Sequence, residues 1–227
     1  MNIILINSSP RKNGATANMV NMLANELGKY YDVNAEIINV DDLSLAYCVG
    51  CQQCYKTGKC IFNDDLEQLS HKLANADGVV FASPTYASNV SAQMKTIIDR
   101  CHFVMEQLLH NKYALSVAVY ENYGGREVIN ILNDLILFSG GQISGSLLYK
   151  KGSSNLRINC RAEKIAQKFY TDIKYGQINF WQKIKHFFIF KFGIKPFVLR
   201  NISRYQGVVN IWKEKQREHL NKVSPDL

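Results

Sequence analysis

The chain has 227 residues, 47% of them hydrophobic, enough to bury a proper core as one domain with an appendage. No apolar run reaches the roughly 18 residues of a membrane span, and the chain opens on a core strand rather than a signal peptide, so a cytoplasmic location is expected. The net charge of +8 is uneven: residues 176–227 carry ten Lys/Arg against three Asp/Glu and residues 1–175 carry seventeen against sixteen, which argues against a nucleic-acid-binding core.

Ile3-Ile4-Leu5-Ile6 is the mark of a strand buried on both faces of a parallel sheet. It breaks at Asn7-Ser8-Ser9-Pro10-Arg11-Lys12-Asn13-Gly14, after which Val20, Leu23, Ala24 and Leu27 recur at the spacing of one helical face. Strand, polar loop and helix N-terminus make an anion site, because unpaired backbone N–H groups and the helix dipole converge there. Ser9, Asn13 and Thr16 can donate to phosphate oxygens, and Arg11 or Lys12 can supply charge. An ordinary strand–helix turn capped by Asn13 or Thr16 fits the same residues. The loop has neither GxGxxG spacing nor the Gly-Lys-Ser/Thr ending of a P-loop.

Residues 33–40 read as a second strand, and 48–60 as a cysteine-rich loop. A helix over 64–76, with Asn63 as its cap, leads to a third buried strand over 78–82. Ser83 to Asn89 form a second polar loop, followed by one long helix from about 91 to 109. A fourth strand covers 113–120 and exits through Glu121-Asn122-Tyr123-Gly124-Gly125. A further helix stops at Gly140-Gly141, a fifth strand spans 142–149, and a helix over 159–175 closes a domain of residues 1–175. Five strands alternating with helices imply a parallel α/β sheet with helices on both faces. The flavodoxin-like order would make the first strand central and put a ligand beside the ends of strands 1 and 3. The exits of strands 1, 3 and 4 are the segments richest in Ser, Asn, Gly, Pro and Tyr.

The first loop, together with Ser83-Pro84-Thr85-Tyr86 and the Gln93-Met94-Lys95 and Ile98-Asp99-Arg100 after it, resembles the NADPH-dependent FMN reductase family over about residues 1–175. The resemblance implies a flavodoxin-like fold binding FMN without a covalent bond. It implies that Ser9, Arg11, Asn13, Ala15 and Thr16 hold the phosphate. Pro84, Thr85, Tyr86, Ala87, Ser88 and Asn89 would run along the ribityl chain and one side of the ring, with Tyr123, Gly124 and Gly125 at its pyrimidine edge. The third loop departs most from the family form, since Glu121 and Arg126 flank it with charge. Independently, Gly124 and Gly125 would let backbone approach a flat ring, and Tyr86 and Tyr123 could stack on it. Each Tyr could equally serve packing or surface.

Four of the six cysteines, Cys48, Cys51, Cys54 and Cys60, fall within thirteen residues at C-x2-C-x2-C-x5-C spacing. In a cytosolic protein such a run argues for metal or redox work rather than disulfides. Its first spacings match those of bacterial cluster-binding proteins, and the set resembles the compact motif of iron–sulfur flavoproteins, a branch of the same family with a 4Fe–4S cluster near FMN. Zinc more often takes two separated pairs. Free or redox-active thiols remain a full alternative, because relatives keep a similar loop followed by Asp-Asp, here Asp64-Asp65, with no cluster implied. Cys101 and Cys160 read as buried packing residues, and His71, His102, His110, His186 and His219 as structural or solvated.

The tail mixes Phe180, Trp181, Phe187, Phe188, Phe190 and Phe192 with lysines. It reads as a basic aromatic helical extension over 176–227 that packs on the domain or a second subunit in preference to a membrane surface. The resulting expectation is an FMN-dependent oxidoreductase, a homodimer or homotetramer, passing electrons from NAD(P)H to a small-molecule acceptor such as a quinone, nitro compound or flavin. Its rivals are an iron–sulfur flavoprotein served by a ferredoxin-like protein, and a non-redox membrane- or partner-binding module. No protein general base is expected, because the cofactor carries the chemistry.

Overall fold

The computed structural model describes residues 1–153 and 155–223, without the side chains of 155–157 and 218–223, so the side chain of His219 lies outside them. Strands β1 (Asn2–Asn7), β2 (Asn34–Asn39), β3 (Gly78–Pro84), β4 (Tyr113–Tyr120) and β5 (Gln142–Lys150) form one parallel sheet in the order β2-β1-β3-β4-β5. This is the expected flavodoxin-like order, except that β3 rather than β1 stands mid-sheet.

Alternation along β1 divides the core. Ile3 and Leu5 face α1 (Ala15–Leu27) and α7 (Asn155–Lys174), through Met19, Val20, Leu23, Leu27, Ala162, Ala166 and Phe169. Ile4 and Ile6 face α3 (Leu66–Asn75), α4 (Ala92–Arg100) and α6 (Gly125–Phe138), through Leu69, Leu73, Met94, Ile97, Val128, Leu132 and Ile136. With both faces covered, β1 and β3 must be apolar throughout, which is why they read so plainly in the sequence.

Several expected elements differ. The cysteine segment is not all loop: α2 (Gln53–Thr57) forms one helical turn inside it, entered through Gln52 at φ 61° and left through Gly58 at φ 82°. Asn63 does not cap α3; Asp64 Oδ1 accepts the Leu66 N–H instead. The long helix over 91–109 is broken. α4 ends at Arg100, His102 turns left-handed at φ 49°, and a short α5 (Phe103–Glu106) follows before Gln107 at φ 54°. The break is sustained by the tail, where Trp212 Nε1 donates to Met105 O at 2.8 Å and Lys215 Nζ to Glu106 O at 2.8 Å, satisfying carbonyls a continuous helix would have used.

The extension consists of α8 (Phe180–Phe188), a π-helical stretch (Ile189–Ile194), α9 (Lys195–Leu199) and α10 (Gln206–Val223). It packs on the domain. Val198, Tyr205, Val208 and Val209 bury with Tyr55 of the cysteine segment and Met105 of α5. Gln182 Oε1 accepts the Ile143 N–H at 2.7 Å and its Nε2 donates to Ile143 O at 3.1 Å, pairing the open edge of β5. Phe180, Trp181, Phe187, Phe188 and Phe192 stay at least half exposed. Among the described residues no helix is long and apolar enough to cross a membrane.

Candidate functional site

The loops after β1, β3 and β4 meet at one sheet edge, tied by buried serines. Ser8 Oγ donates to Ala82 O at 2.9 Å. Ser91, the N-cap of α4, hydrogen-bonds Ser8 Oγ at 2.9 Å and donates to Ser8 O at 2.8 Å, while its own N–H reaches Ser83 Oγ at 3.0 Å. The first two loops are therefore joined through buried hydroxyls.

In the first loop the Arg11 N–H donates to Ser9 Oγ at 3.1 Å, and Gly14 N to Arg11 O at 3.0 Å. Gly14 is the N-cap of α1, and neither Asn13 nor Thr16 caps it. The first N–H groups of α1, from Ala15 onward, therefore have no side-chain acceptor from the cap and are available to an anion. Ser9 and Thr16 are buried at this turn, and Arg11 and Asn13 are exposed at its mouth. Lys12 is turned away, paired with Asp42 beyond β2.

In the second loop Pro84 ends β3, and Tyr86 and Asn89 exchange N–H···O bonds at 3.0 and 2.9 Å across Ala87 (φ 47°) and Ser88 (φ 60°). Both central residues are left-handed without being glycine, a strained turn of the kind found at ligand-binding loops. The Thr85 Oγ1 is buried with no hydrogen-bond partner. A polar atom left so costs roughly 1–3 kcal/mol, which a ligand oxygen would recover. Tyr86, 44% exposed, and Tyr123, 75% exposed, stand as aromatic faces on the second and third loops. Gly124 (φ +85°) is required by the protein itself: a Cβ there would lie 2.7 Å from Ser88 Cα. Gly125 likewise admits Leu148 and Tyr120, each within 2.7 Å of where its Cβ would be. Backbone donors, an unpartnered hydroxyl and two flanking tyrosines fit a phosphate-bearing flat ligand such as FMN.

The cysteine segment is pinned at its base by the Asp-Asp pair. Asp65 Oδ2 accepts the Ser44 N–H at 2.7 Å and Asp64 Oδ2 the Ala46 N–H at 3.0 Å. Asp64 also pairs with the fully buried Arg100, whose Nη2 lies 3.2 Å from Cys60 Sγ. Burial opposes the charge of Asp64, but hydrogen bonds from Arg100 and from the Ala46 and Leu66 N–H groups outweigh it, so its pKa falls below the ordinary value. Burial likewise raises the Cys60 thiol, yet the Phe62 N–H and Arg100 prevail and lower it. On the other side of the helix break, burial disfavours the charge of His102, but Cys54 and Glu106 outweigh that and hold its pKa at about 10.

Two of the four thiols thus lie beside a cation, and at Cys60 the setting favours thiolate. Cys48 and Cys51 are exposed, and no disulfide joins any pair. The four sulfurs do not converge: among the described residues no three His, Cys, Asp or Glu side chains group as metal ligands. By donor chemistry the set nevertheless fits an iron–sulfur cube, with Gly50 (φ 67°), Gln52 and Gly58 as left-handed positions that let the segment bend. Cys101 is a core thiol pushed by burial up to about 12. Cys160, expected in the core, is exposed on α7, because Ile158, Ala162 and Ala166 take the buried face. In the sequence Arg100 stands only within the family-like Ile98-Asp99-Arg100 and His102 reads only as structural or solvated, with neither linked to the cysteines. A signal existed for Arg100, which lies three residues past Ile97 on the apolar stripe of α4 and therefore needs a buried partner.

A sequence model of the NADPH-dependent FMN reductase family matches residues 1–169. An iron-sulfur flavoprotein of Clostridioides difficile is 34% identical over 221 residues, covering 94% of this chain and 98% of that protein. One of Methanosarcina thermophila is 30% identical over 149 residues, covering 64% of this chain and 78% of its own. Among solved structures, an apo NADH:FMN oxidoreductase superposes with a TM-score of 0.60 at 20% identity, over 75% of this chain and 89% of that one. An archaeal flavodoxin gives 0.54 at 14% identity, over 77% and 99%. At such identities these two likenesses bear on the fold alone.

Proposed function

Because this chain belongs to the NADPH-dependent FMN reductase family, on the branch of its iron–sulfur flavoprotein relatives, we propose that it is an FMN-dependent electron-transfer oxidoreductase whose Cys48, Cys51, Cys54 and Cys60 hold a 4Fe–4S cluster. The observation that carries the reading is the Clostridioides difficile relative, aligned through the cysteine segment and the tail over nearly the whole of both chains. The two charged corners at Cys54 and Cys60 support it.

FMN supplies the hydride and electron chemistry when bound, and a cluster supplies single-electron transfer. The chain's own part is to bind and orient. The N–H groups at the start of α1, with Ser9, Asn13, Thr16 and Arg11, receive the phosphate. The Thr85 hydroxyl donates to a ligand oxygen, and Tyr86 and Tyr123 cover the ring. Arg100 donates to Cys60 Sγ and lowers its pKa, and His102 stands beside Cys54 as a cation. In this reading a ferredoxin-like protein is the electron partner and the active form is a homodimer or homotetramer, whose contact surface includes the exposed aromatic side of residues 180–192.

A second reading draws on the separation of the four sulfurs and on the family's description as NADPH-dependent. In it NAD(P)H reduces a quinone, nitro compound or free flavin directly, and the cysteines are free thiols. Anaerobic assays with NADPH, NADH and a reduced ferredoxin as alternative donors separate the two. Fast reduction by ferredoxin with slow nicotinamide oxidation is expected; fast NAD(P)H oxidation by iron-free protein would favour the second.

A further inference from the structure

Arg100 is the largest of the fully buried side chains, 1% exposed, and its guanidinium is spent almost wholly on the cysteine segment. Nη1 donates to Ala46 O at 2.8 Å, two residues before Cys48. Both terminal nitrogens reach the Asp64 carboxylate, four residues after Cys60. Nη2 also donates to Cys60 Sγ at 3.2 Å, and the Phe62 ring lies 5.1 Å from the guanidinium carbon. One side chain from α4 therefore joins the Asp64–Ala46 hydrogen bond in tying together both ends of a segment whose Tyr55 packs on the C-terminal extension. Its Nε is also buried and has no partner, so one donor of the fork remains to be satisfied.

A simple ion pair with Asp64 would need neither the Ala46 nor the Cys60 contact. Lysine, with a compact ammonium in place of a planar fork of five N–H donors, could not serve three acceptors at these separations. Hydrogen bonds to a ligating sulfur favour the more negative, reduced state of a cluster and so raise its potential.

We infer that Arg100 is the positioning residue of the cysteine segment: it closes the two ends of residues 46–64 on each other and, through its bond to Cys60, sets the potential of the cluster held there. This rests on the cluster reading given above, and the test separates the two. Wild-type protein, Arg100→Lys and Asp64→Asn are purified without oxygen. FMN, iron and acid-labile sulfide are measured per chain, any cluster is titrated for its midpoint potential, and cleavage within residues 48–60 is followed by limited proteolysis.

Arg100→Lys is expected to keep FMN, lose at least half of its iron and sulfide, titrate at a more negative potential in what remains, and be cut faster in the segment. Arg100→Lys with wild-type iron, potential and cleavage would overturn the inference. Wild-type protein with FMN but no iron would overturn the cluster reading, and unchanged cleavage of the variant would then remove the clamp as well. Should Arg100→Lys fail to retain FMN through misfolding, Asp64→Asn decides. That variant preserves volume and frees one arm of the fork, and wild-type iron content and cleavage in it would refute the role of Arg100.

Discussion

Thr85 and Gly124 show how single atoms constrain the loop edge. The Thr85 hydroxyl is buried without a partner, so its cost is recovered only when a ligand arrives. Thr85→Val, nearly isosteric, is expected to leave the flavin-free protein as stable or more so, and to weaken FMN binding by roughly 1 kcal/mol, about five- to tenfold. Thermal unfolding of the flavin-free protein and fluorescence titration with FMN check the two halves separately. Gly124 is held at φ +85° with Ser88 where a Cβ would go. Gly124→Ala is therefore expected to cost about 1–3 kcal/mol and to spread the second and third loops, reducing flavin retention on dialysis. Arg11→Ala combined with Thr16→Ala is expected to lower flavin occupancy with little loss of stability; unchanged occupancy would remove the phosphate loop assignment.

At the scale of elements, the broken helix between Ala92 and Glu106 is the feature the sequence hid. Its apolar spacing continues through Phe103 and Leu108, and no Gly or Pro marks the break. The cause is long-range: Arg100 is drawn to Asp64, and Trp212 and Lys215 of α10 satisfy the carbonyls of α5. Trp212→Ala is expected to cost on the order of 1–2 kcal/mol, the worth of one hydrogen bond with partial burial, and to speed amide exchange over 103–109. The Asp64–Arg100 pair gives a pH signature. A carboxyl whose folded pKa lies below its unfolded value contributes stability at neutral pH, and loses it as pH falls through the ordinary carboxylate range of about 4 and below. Wild-type unfolding free energy should fall in that window, and more steeply than in Asp64→Asn, which is itself expected to be less stable at pH 7 by about 3 kcal/mol.

For the whole molecule, the sheet was legible because strands covered on both faces must be apolar, as Ile3-Ile4-Leu5-Ile6 and Gly78-Val79-Val80-Phe81-Ala82 are. The polar exits of strands 1, 3 and 4 were legible for the converse reason, since a loop beside a ligand must carry donors and tight turns. The supports of those features were not. The Ser8–Ser91–Ser83 tie, the place Ser88 takes beside Gly124, and the cations beside Cys54 and Cys60 all join residues far apart in sequence, and each residue alone reads as ordinary. The tail was half legible. Its aromatic content announced packing, but not that α10 would settle on α2 and α5 while Trp181 stays 74% exposed.

The central claim, FMN and a cluster on one chain, is tested most directly by the absorption spectrum of protein purified without oxygen, with iron and acid-labile sulfide assayed on the same sample. Flavin bands with about four irons and four sulfides per chain are expected. Flavin bands with iron near zero would contradict the cluster and leave a flavin reductase with free thiols; a colourless protein that does not take up FMN would contradict the whole reading.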